Sequence, residues 1–334
     1  MTVLITGGAG FIGSNLIHHL LDPTTKLQGK SATKIVNLDL LTYAGRPENL
    51  TEATTDPRYH FQQGDIQDAA LLAHLFTAHR PDAVFHLAAE SHVDRSIDTP
   101  SQFLETNVLG TFHLLEATRH YLSQHPEKAD VFRFLHVSTD EVFGSLSPTD
   151  PAFTEASPYQ PNSPYSASKA ASDHFVRAYH HTYQLPVITT NCSNNYGPRQ
   201  YPEKLIPLVI KKALNGENIP IYGSGTQVRD WLYVTDHCRG LVAAFNHGHP
   251  GETYNFGGET ELTNLVLVQH LLQEIRHQGH PQATPDLITH VRDRPGHDQR
   301  YAIDITKARH HLHWHPHTPF PNALQRTVAW YLDQ

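Results

Sequence analysis

The chain has 334 residues, 39% of them hydrophobic and 17% charged, and a formal net charge of −8; this is the composition of a soluble globular protein with room for about two domains. An acidic balance without clustered Lys and Arg speaks against a nucleic-acid surface. No run of about 18 apolar residues is present to span a bilayer, and the N-terminus enters a strand without a charged-then-apolar leader, so the expected location is the cytoplasm.

Residues 2–6 are a short apolar, β-branched run read as a strand, and a helical pattern follows to about Leu21. Between them Gly8, Gly10 and Gly13 match G-x-G-x-x-G, while Gly7, Gly10 and Gly13 give the related G-x-x-G-x-x-G spacing. Glycines here permit a tight turn, close approach of backbone to a pyrophosphate, and packing of helix on strand, with the helix N-terminus facing the phosphates. A plain turn can look the same, so the strand and helix flanks carry the weight. Residues 35–39 read as a second strand ending in Asp39, beyond the usual ~20-residue spacing, with residues 23–33 as the lengthening loop. A carboxylate there accepts from both adenosine ribose hydroxyls and repels a 2′-phosphate, which favours NAD over NADP.

Residues 60–66 read as the third strand, with Asp65 placed for the adenine amino group or, equally on pattern alone, in a solvated turn. Residues 83–89 read as the fourth, apolar throughout as a sheet covered on both faces requires, and end in a polar cluster at 90–95. Residues 107–121 form a helical pattern with Val108, Phe112, Leu115 and Thr118 on one face, and residues 131–137 form the fifth strand. This alternation predicts an α/β fold, a Rossmann-type, doubly wound parallel sheet.

At the end of the fifth strand stand Ser138, Thr139, Asp140 and Glu141; Tyr165 and Lys169 open a helix after a proline-rich loop. Residues four apart share a helix face, so Lys169 can hold positive charge near the Tyr165 hydroxyl and draw its pKa down from ~10 toward the range of a useful base. Tyr-x-x-x-Lys also arises by chance on exposed helices. What lifts it here is the carboxyl pair Asp140 and Glu141 at a strand's carboxyl end, where open α/β sheets bind ligands.

Residues 185–191 resume the sheet, and the turn-rich stretch 192–198 marks the exit from the first domain. A helix at 204–215, a strand and turn at 219–225, and Arg229, placed to clamp a diphosphate, follow. A helix from Asp236 and a strand at 253–257 return to the sheet; the remainder, with helices near 265–278 and 306–311, forms a smaller mixed α/β cap. The expected division is 1–190 with about 236–260 for the cofactor, and about 191–235 with 261–334 for the substrate. Cys192 and Cys238, the two cysteines, are expected as buried small hydrophobes in a reducing compartment. Histidine is overused at 27 residues, but the run at 310–317 lacks the spacing and partners of a zinc site, so no metal is expected.

With these residues assembled, segments 6–14, 87–97, 138–144, 165–173, 191–198, 202–208, 228–237 and 293–304 resemble the extended short-chain dehydrogenase/reductase superfamily, and within it the sugar-nucleotide 4,6-dehydratases. Thr139, Asp140 and Glu141 discriminate most, because epimerases of similar fold carry small residues where the two carboxyls stand. The resemblance implies tightly bound NAD, touched by Gly7, Gly10, Phe11, Ile12, Gly13, Asp39, Asp65, Ile66, Leu87, Ala88, Ala89, Thr106, Tyr165, Lys169 and Asn195. It implies a dTDP-glucose substrate held by Ser91, Thr139, Asn194, Lys204, Leu205, Pro220, Tyr222, Arg229, Asn264, Arg294 and His297. Tyr165 would be the base at the sugar 4-hydroxyl, Glu141 the base at C5, and Asp140 the acid at the 6-hydroxyl. A homodimer through residues 107–121 and 166–183 is implied as well. The alternatives are a UDP-, CDP- or GDP-hexose dehydratase, a sugar-nucleotide 4-epimerase, and a non-catalytic NAD sensor.

Overall fold

The computed structural model describes residues 1–293 and 295–334. The first half alternates strand and helix: β1 (Thr2–Thr6), α1 (Phe11–Leu21), β2 (Lys34–Asp39), β3 (Tyr59–Gln63), α2 (Ala69–His79), β4 (Ala83–His86), the short α3 (Val93–Asp98) and α4 (Pro100–Phe103), α5 (Thr111–Gln124) and β5 (Arg133–Thr139). A long helix α6 (Pro164–Tyr183) leads to β6 (Val187–Cys192), and β7 (Asn194–Tyr196) follows almost at once. Then come α7 (Leu205–Leu214), β8 (Ile219–Tyr222), β9 (Val228–Tyr233), α8 (Val234–His247) and β10 (Thr253–Phe256). The chain closes with β11 (Glu261–Thr263), α9 (Asn264–His277), β12 (Ile288–Val291), α10 (Thr306–Leu312) and α11 (Phe320–Leu332).

Among the described residues, seven strands form one sheet in the order β10-β6-β5-β4-β1-β2-β3, and every pairing is parallel. Successive side chains of a strand point to opposite faces, and the sequence supplies apolar groups to both. Val3, Ile5, Phe85 and Leu135 join α1 and α8 in one layer; Leu4, Val84 and Phe134 join α2, α5 and α6 in the other. That is why these strands read as continuous apolar runs. The order reverses between β1 and β4, the switch point where such sheets open a crevice.

A three-stranded sheet β11-β9-β7 and a two-stranded pair β12-β8 stand beside this core. Ile206, Val209, Leu267, Leu271, Ala323 and Val328 from α7, α9 and α11 close a separate apolar cluster there. Helix α10 instead packs on α8 and β10, with Ala308, Leu312 and Trp314 in the core of the large sheet. Histidines 310, 311 and 313, between those buried anchors, and 315 and 317, just after them, are exposed. Among the described residues, no group of three or more His, Cys, Asp or Glu is arranged to hold a metal ion, and no helix is long and apolar enough to cross a membrane.

Several boundaries differ from the sequence expectation for physical reasons. The third strand stops at Gln63 because Gly64 N makes the last bond to β2, at Asp39 O (3.0 Å), and the chain then turns at Asp65, whose Oδ1 accepts from Gln67 N at 2.9 Å and whose carbonyl accepts from Asp68 N at 3.1 Å. The fifth begins two residues late: Val131 is 46% exposed and bonds back to Lys128 O at 3.1 Å, and the strand runs on through Thr139. The helix expected at 107–121 starts as a π-helical turn, Leu104–Gly110, before α5. There Asn107 turns inward to accept from Glu90 N at 2.8 Å and to donate to Ser168 Oγ at 2.8 Å. The turn-rich stretch 192–198 contains β7, paired with β9.

Candidate active site

The carboxyl ends of β1, β4, β5 and β6 enclose a cavity of about 310 Å³. It is lined by Gly7, Gly10, Phe11, Ile12, Gly13, Asp39, Asp65, Ile66, Leu87, Ala88, Ala89, Thr106, Tyr165, Lys169 and Asn195, and also by Ser91, Thr139, Asp140, Glu141, Asn194 and Lys204. Leu205, Pro220, Tyr222, Arg229, Asn264 and His297 do not line it, and Arg294 lies outside the described residues. Glu90, Ser138, Ser193, Tyr201 and Glu203 also reach the wall, though the sequence pattern did not single them out as site residues. For Tyr201 and Glu203 no periodic signal marks the loop they sit on.

The glycine turn fits a dinucleotide. Gly7 has φ +73°, and a Cβ on it would stand 2.6 Å from Ala88 N; a Cβ on Gly13 would stand 2.2 Å from Gly7 O. Side chains at either place would push β1, β4 and α1 apart. The N-cap of α1 is Gly10, with no side chain capping the helix, so the first-turn amides are offered toward the crevice, as an anion site requires. Asp39 Oδ2 accepts from Ala9 N and Oδ1 from Leu41 N, both at 2.8 Å. Each oxygen keeps lone-pair capacity for a ribose hydroxyl, and burial pushes this carboxyl above its usual range.

The polar cluster is assembled where β5 meets α6. Ser163 caps α6 by accepting from Ser166 N at 3.0 Å, with Pro164 in the first turn, so Tyr165 enters helix at the crevice edge. Lys169, one turn on, is 5% exposed and donates to Val137 O at 2.8 Å. Thr139 ends β5, its carbonyl held by Asn191 Nδ2 at 3.0 Å. The Thr139 hydroxyl accepts from Glu141 N and donates to Asp140 Oδ1, both at 3.3 Å. Asp140 is 1% exposed and its Oδ2 is buried without a hydrogen-bond partner. Burial first, then Glu141 and Asp230, hold its pKa well above the usual carboxylate range, with Arg229 opposing; a buried acid so placed keeps its proton. Glu141 is half-buried and accepts from Ser166 Oγ at 3.2 Å.

Tyr165 departs from the expectation that Lys169 lowers its pKa. Burial, then the Glu141 carboxylate, hold the phenol well above its ordinary value, and the Thr139 hydroxyl pulls the other way. The Lys169 ammonium is turned to the Val137 carbonyl, so loss of water and a facing carboxylate dominate at the phenol.

On the far side, Lys204 Nζ donates to Ser91 O at 2.9 Å. Tyr222 OH donates to Asp94 Oδ2 at 3.3 Å, and its ring meets that of His297 at 6.1 Å. Arg229 lies in the interior: it is 5% exposed, donates to Val228 O and Asp298 O, and stacks 4.3 Å over the Tyr301 ring. At the cavity mouth the Arg95 guanidinium sits 3.5 Å over Tyr43 and 3.6 Å from Glu203, and Tyr43 meets Tyr201 edge-on. This clasp joins three separate segments.

The sequence profile of the GDP-mannose 4,6-dehydratase family matches residues 4–327. The chain is 55% identical to a dTDP-glucose 4,6-dehydratase of Neisseria gonorrhoeae over 99% of its own length and 95% of that protein's. Among solved structures it is similar to a dTDP-glucose 4,6-dehydratase of Streptomyces venezuelae crystallised with NAD bound, at 46% identity and a TM-score of 0.91, covering 100% of this chain and 97% of the other. It is also similar to a UDP-glucose 4-epimerase of Thermotoga maritima, at 29% identity and a TM-score of 0.86, covering 100% and 99%.

Proposed function

We propose a reaction from the premise that this chain belongs to the dTDP-glucose 4,6-dehydratase family: it is an NAD-dependent hydro-lyase that converts dTDP-D-glucose to dTDP-4-keto-6-deoxy-D-glucose and water. The observation that carries this reading over epimerisation is the buried, unpartnered Oδ2 of Asp140 beside Glu141, since an epimerase has no task for two carboxyls. Gly7, Gly10 and Gly13 with the α1 amides hold the NAD pyrophosphate, Asp39 the adenosine ribose, and Asp65 with Ile66 the adenine. Phe11, Ile12, Leu87, Ala88, Ala89, Thr106, Lys169 and Asn195 complete its site. Bound there, NAD supplies the acceptor and later the donor of the hydride that moves from C4 to C6.

Thr139 hydrogen-bonds the sugar 4-hydroxyl and Tyr165 removes its proton. The phenol must first release its own proton to solvent, a step that burial and the Glu141 carboxylate oppose and the Thr139 hydroxyl favours. The resulting C4 ketone acidifies C5–H, which Glu141 removes as base. Asp140, kept protonated by burial, gives its proton to the departing 6-hydroxyl, so water leaves and the C5–C6 double bond forms. Glu141 then returns a proton to C5 as C6 is reduced. Ser91, Asn194 and Lys204 on the cavity wall hold the sugar nucleotide, with Leu205, Pro220, Tyr222, Asn264 and His297 beyond them; Arg229, buried on Asp298 O and the Tyr301 ring, supports that side from within. Residues about 191–235 with 261–334, apart from the α10 segment that packs on the large sheet, form the substrate lobe beside the cofactor lobe of 1–190 with about 236–260.

The protein works in the cytoplasm as a homodimer, on a route to 6-deoxysugars such as rhamnose. Support for the dimer is the apolar surface on adjoining segments: Leu104 is 56% exposed, Leu109 48%, Phe175 41% and Tyr183 50%, a patch of the kind that marks association. Purified protein given dTDP-, UDP-, CDP- and GDP-glucose tests the reading. A 4-keto-6-deoxy product from the dTDP sugar supports it. A galactose product means epimerase, and tightly held NAD without turnover of any of the four means sensor.

A further inference from the structure

Beneath the proposed site lies a buried polar group that the reaction above does not use. Asp173 follows Lys169 by one more helical turn of α6, so Tyr165, Lys169 and Asp173 stand in a row on one face. Asp173 is 4% exposed. Its Oδ1 meets His136 Nε2 at 2.9 Å, and its Oδ2 accepts from Ser138 Oγ at 2.8 Å and Tyr159 OH at 3.0 Å. These donors come from β5 and from the loop between β5 and α6, so one carboxylate ties strand, loop and helix together.

The groups packed around it leave the lysine as its cationic counterpart. His136 is fully buried, its Nδ1 has no partner, and burial and then Lys169 hold it below the ordinary imidazole value, so it is a neutral donor through Nε2. His86 on β4 is bound between Thr6 and Thr111 and is kept neutral by burial. Tyr159 is held above its usual range by burial and Asp173, and the Cys192 thiol on β6 is pushed up to about 12, chiefly by burial. Tyr165 is likewise kept as the phenol. Burial works against the charge on Lys169, and among the groups supporting that charge Asp173 acts most strongly.

We propose that Asp173 is a positioning residue: its carboxylate, fixed by His136, Ser138 and Tyr159, is the counter-charge that keeps Lys169 an ammonium and anchors the end of β5 carrying Thr139, Asp140 and Glu141. A buried charge without its partner is strongly disfavoured, so a lysine in this layer needs a permanent anion. His136, Ser138 and Tyr159 together fix the Asp173 carboxyl in place on the helix face it shares with Lys169. The inference rests on the role given to Lys169 above.

The test follows the Lys169 Nζ signal in lysine labelled with nitrogen-15, assigned by its loss in Lys169→Met, in the purified protein with its bound nucleotide. Asp173→Asn keeps the shape and removes the charge. It is expected to make Lys169 lose its proton at a pH at least about one unit lower, tenfold in protonated fraction, with the alkaline limb of the kcat profile moving by the same amount. Tyr159→Phe removes a hydrogen bond but no charge and is expected to leave the Nζ midpoint in place. An unmoved midpoint in Asp173→Asn, or an equal movement in Tyr159→Phe, overturns the proposal. Should Asp173→Asn not fold, the natural protein decides: Lys169 still protonated at pH 8 sustains the proposal, and Lys169 neutral at pH 8 overturns it. The nitrogen signal is read without substrate, so it stands or falls independently of whether the sugar is turned over.

Discussion

Ser166 Oγ donates to Glu141 Oε2 at 3.2 Å, so the residue next to Tyr165 orients the carboxylate assigned to C5. Glu141→Gln should keep bound NAD yet lose exchange of the C5 hydrogen with solvent and about 10²–10⁴-fold in kcat. Ser166→Ala leaves the carboxylate in place but loosely aimed, and should lower kcat about three- to tenfold with KM little changed. Deuterium wash-in at C5 and steady-state rates check both. Undiminished wash-in in Glu141→Gln would remove that residue from the role.

Asp140 gives opposite signs for activity and stability. Its folded pKa lies well above the unfolded value, so the folded state holds the extra proton and stability falls as pH rises through the folded pKa. Asp140→Asn cannot ionise. Its melting temperature should therefore exceed that of the natural protein by a margin that grows with pH and vanishes below the ordinary carboxylate range, while kcat drops about 10²–10⁴-fold for want of the acid. Melting curves at several pH values, beside turnover, check this; a margin that does not change with pH contradicts it.

Gly7→Ala places a methyl group against the Ala88 backbone at a left-handed φ. The expected cost is about 2–4 kcal/mol of stability, together with loss of co-purifying NAD. Denaturant titration and absorbance of the released nucleotide measure the two. Gly29, also at positive φ but with open space around it, is the control, and Gly29→Ala should cost about 1–2 kcal/mol and leave the nucleotide bound.

Charge on the apolar patch should separate the subunits of the proposed homodimer. Leu109→Glu combined with Phe175→Glu is expected to halve the mass seen by light scattering while each chain keeps its helix content. A mass unchanged from the natural protein would show that these residues do not form the contact.

The legible parts of the chain were those with short-range signatures. The glycine turn is read from flanking periodicity, Asp39 from its place at a strand end, and Tyr165 with Lys169 from a four-residue repeat. Continuous apolar runs located the central strands because both of their faces are covered. Boundaries slipped where tertiary bonds overrode local pattern: Val131 looks like strand but is spent on a turn, and Asn107 winds its segment into a π-helical turn by pairing with Glu90. Helix α11 drew no expectation although Ala323, Leu324, Thr327 and Val328 repeat at helical spacing and are buried. Asp173 was invisible as a functional residue, since its meaning depends on His136 and Tyr159, which only the fold brings to it.

The last strand of the large sheet, β10, follows β7, β8 and β9 of the smaller sheets in the chain and pairs with β6 through Thr189–Thr253 and Cys192–Phe256. While the chain is being made on the ribosome, β6 therefore presents a bare edge until residue 256 has emerged, long after the nucleotide turn is complete. Nascent chains stalled in between carry an open template for foreign strands, and their survival depends on elongation outrunning that encounter.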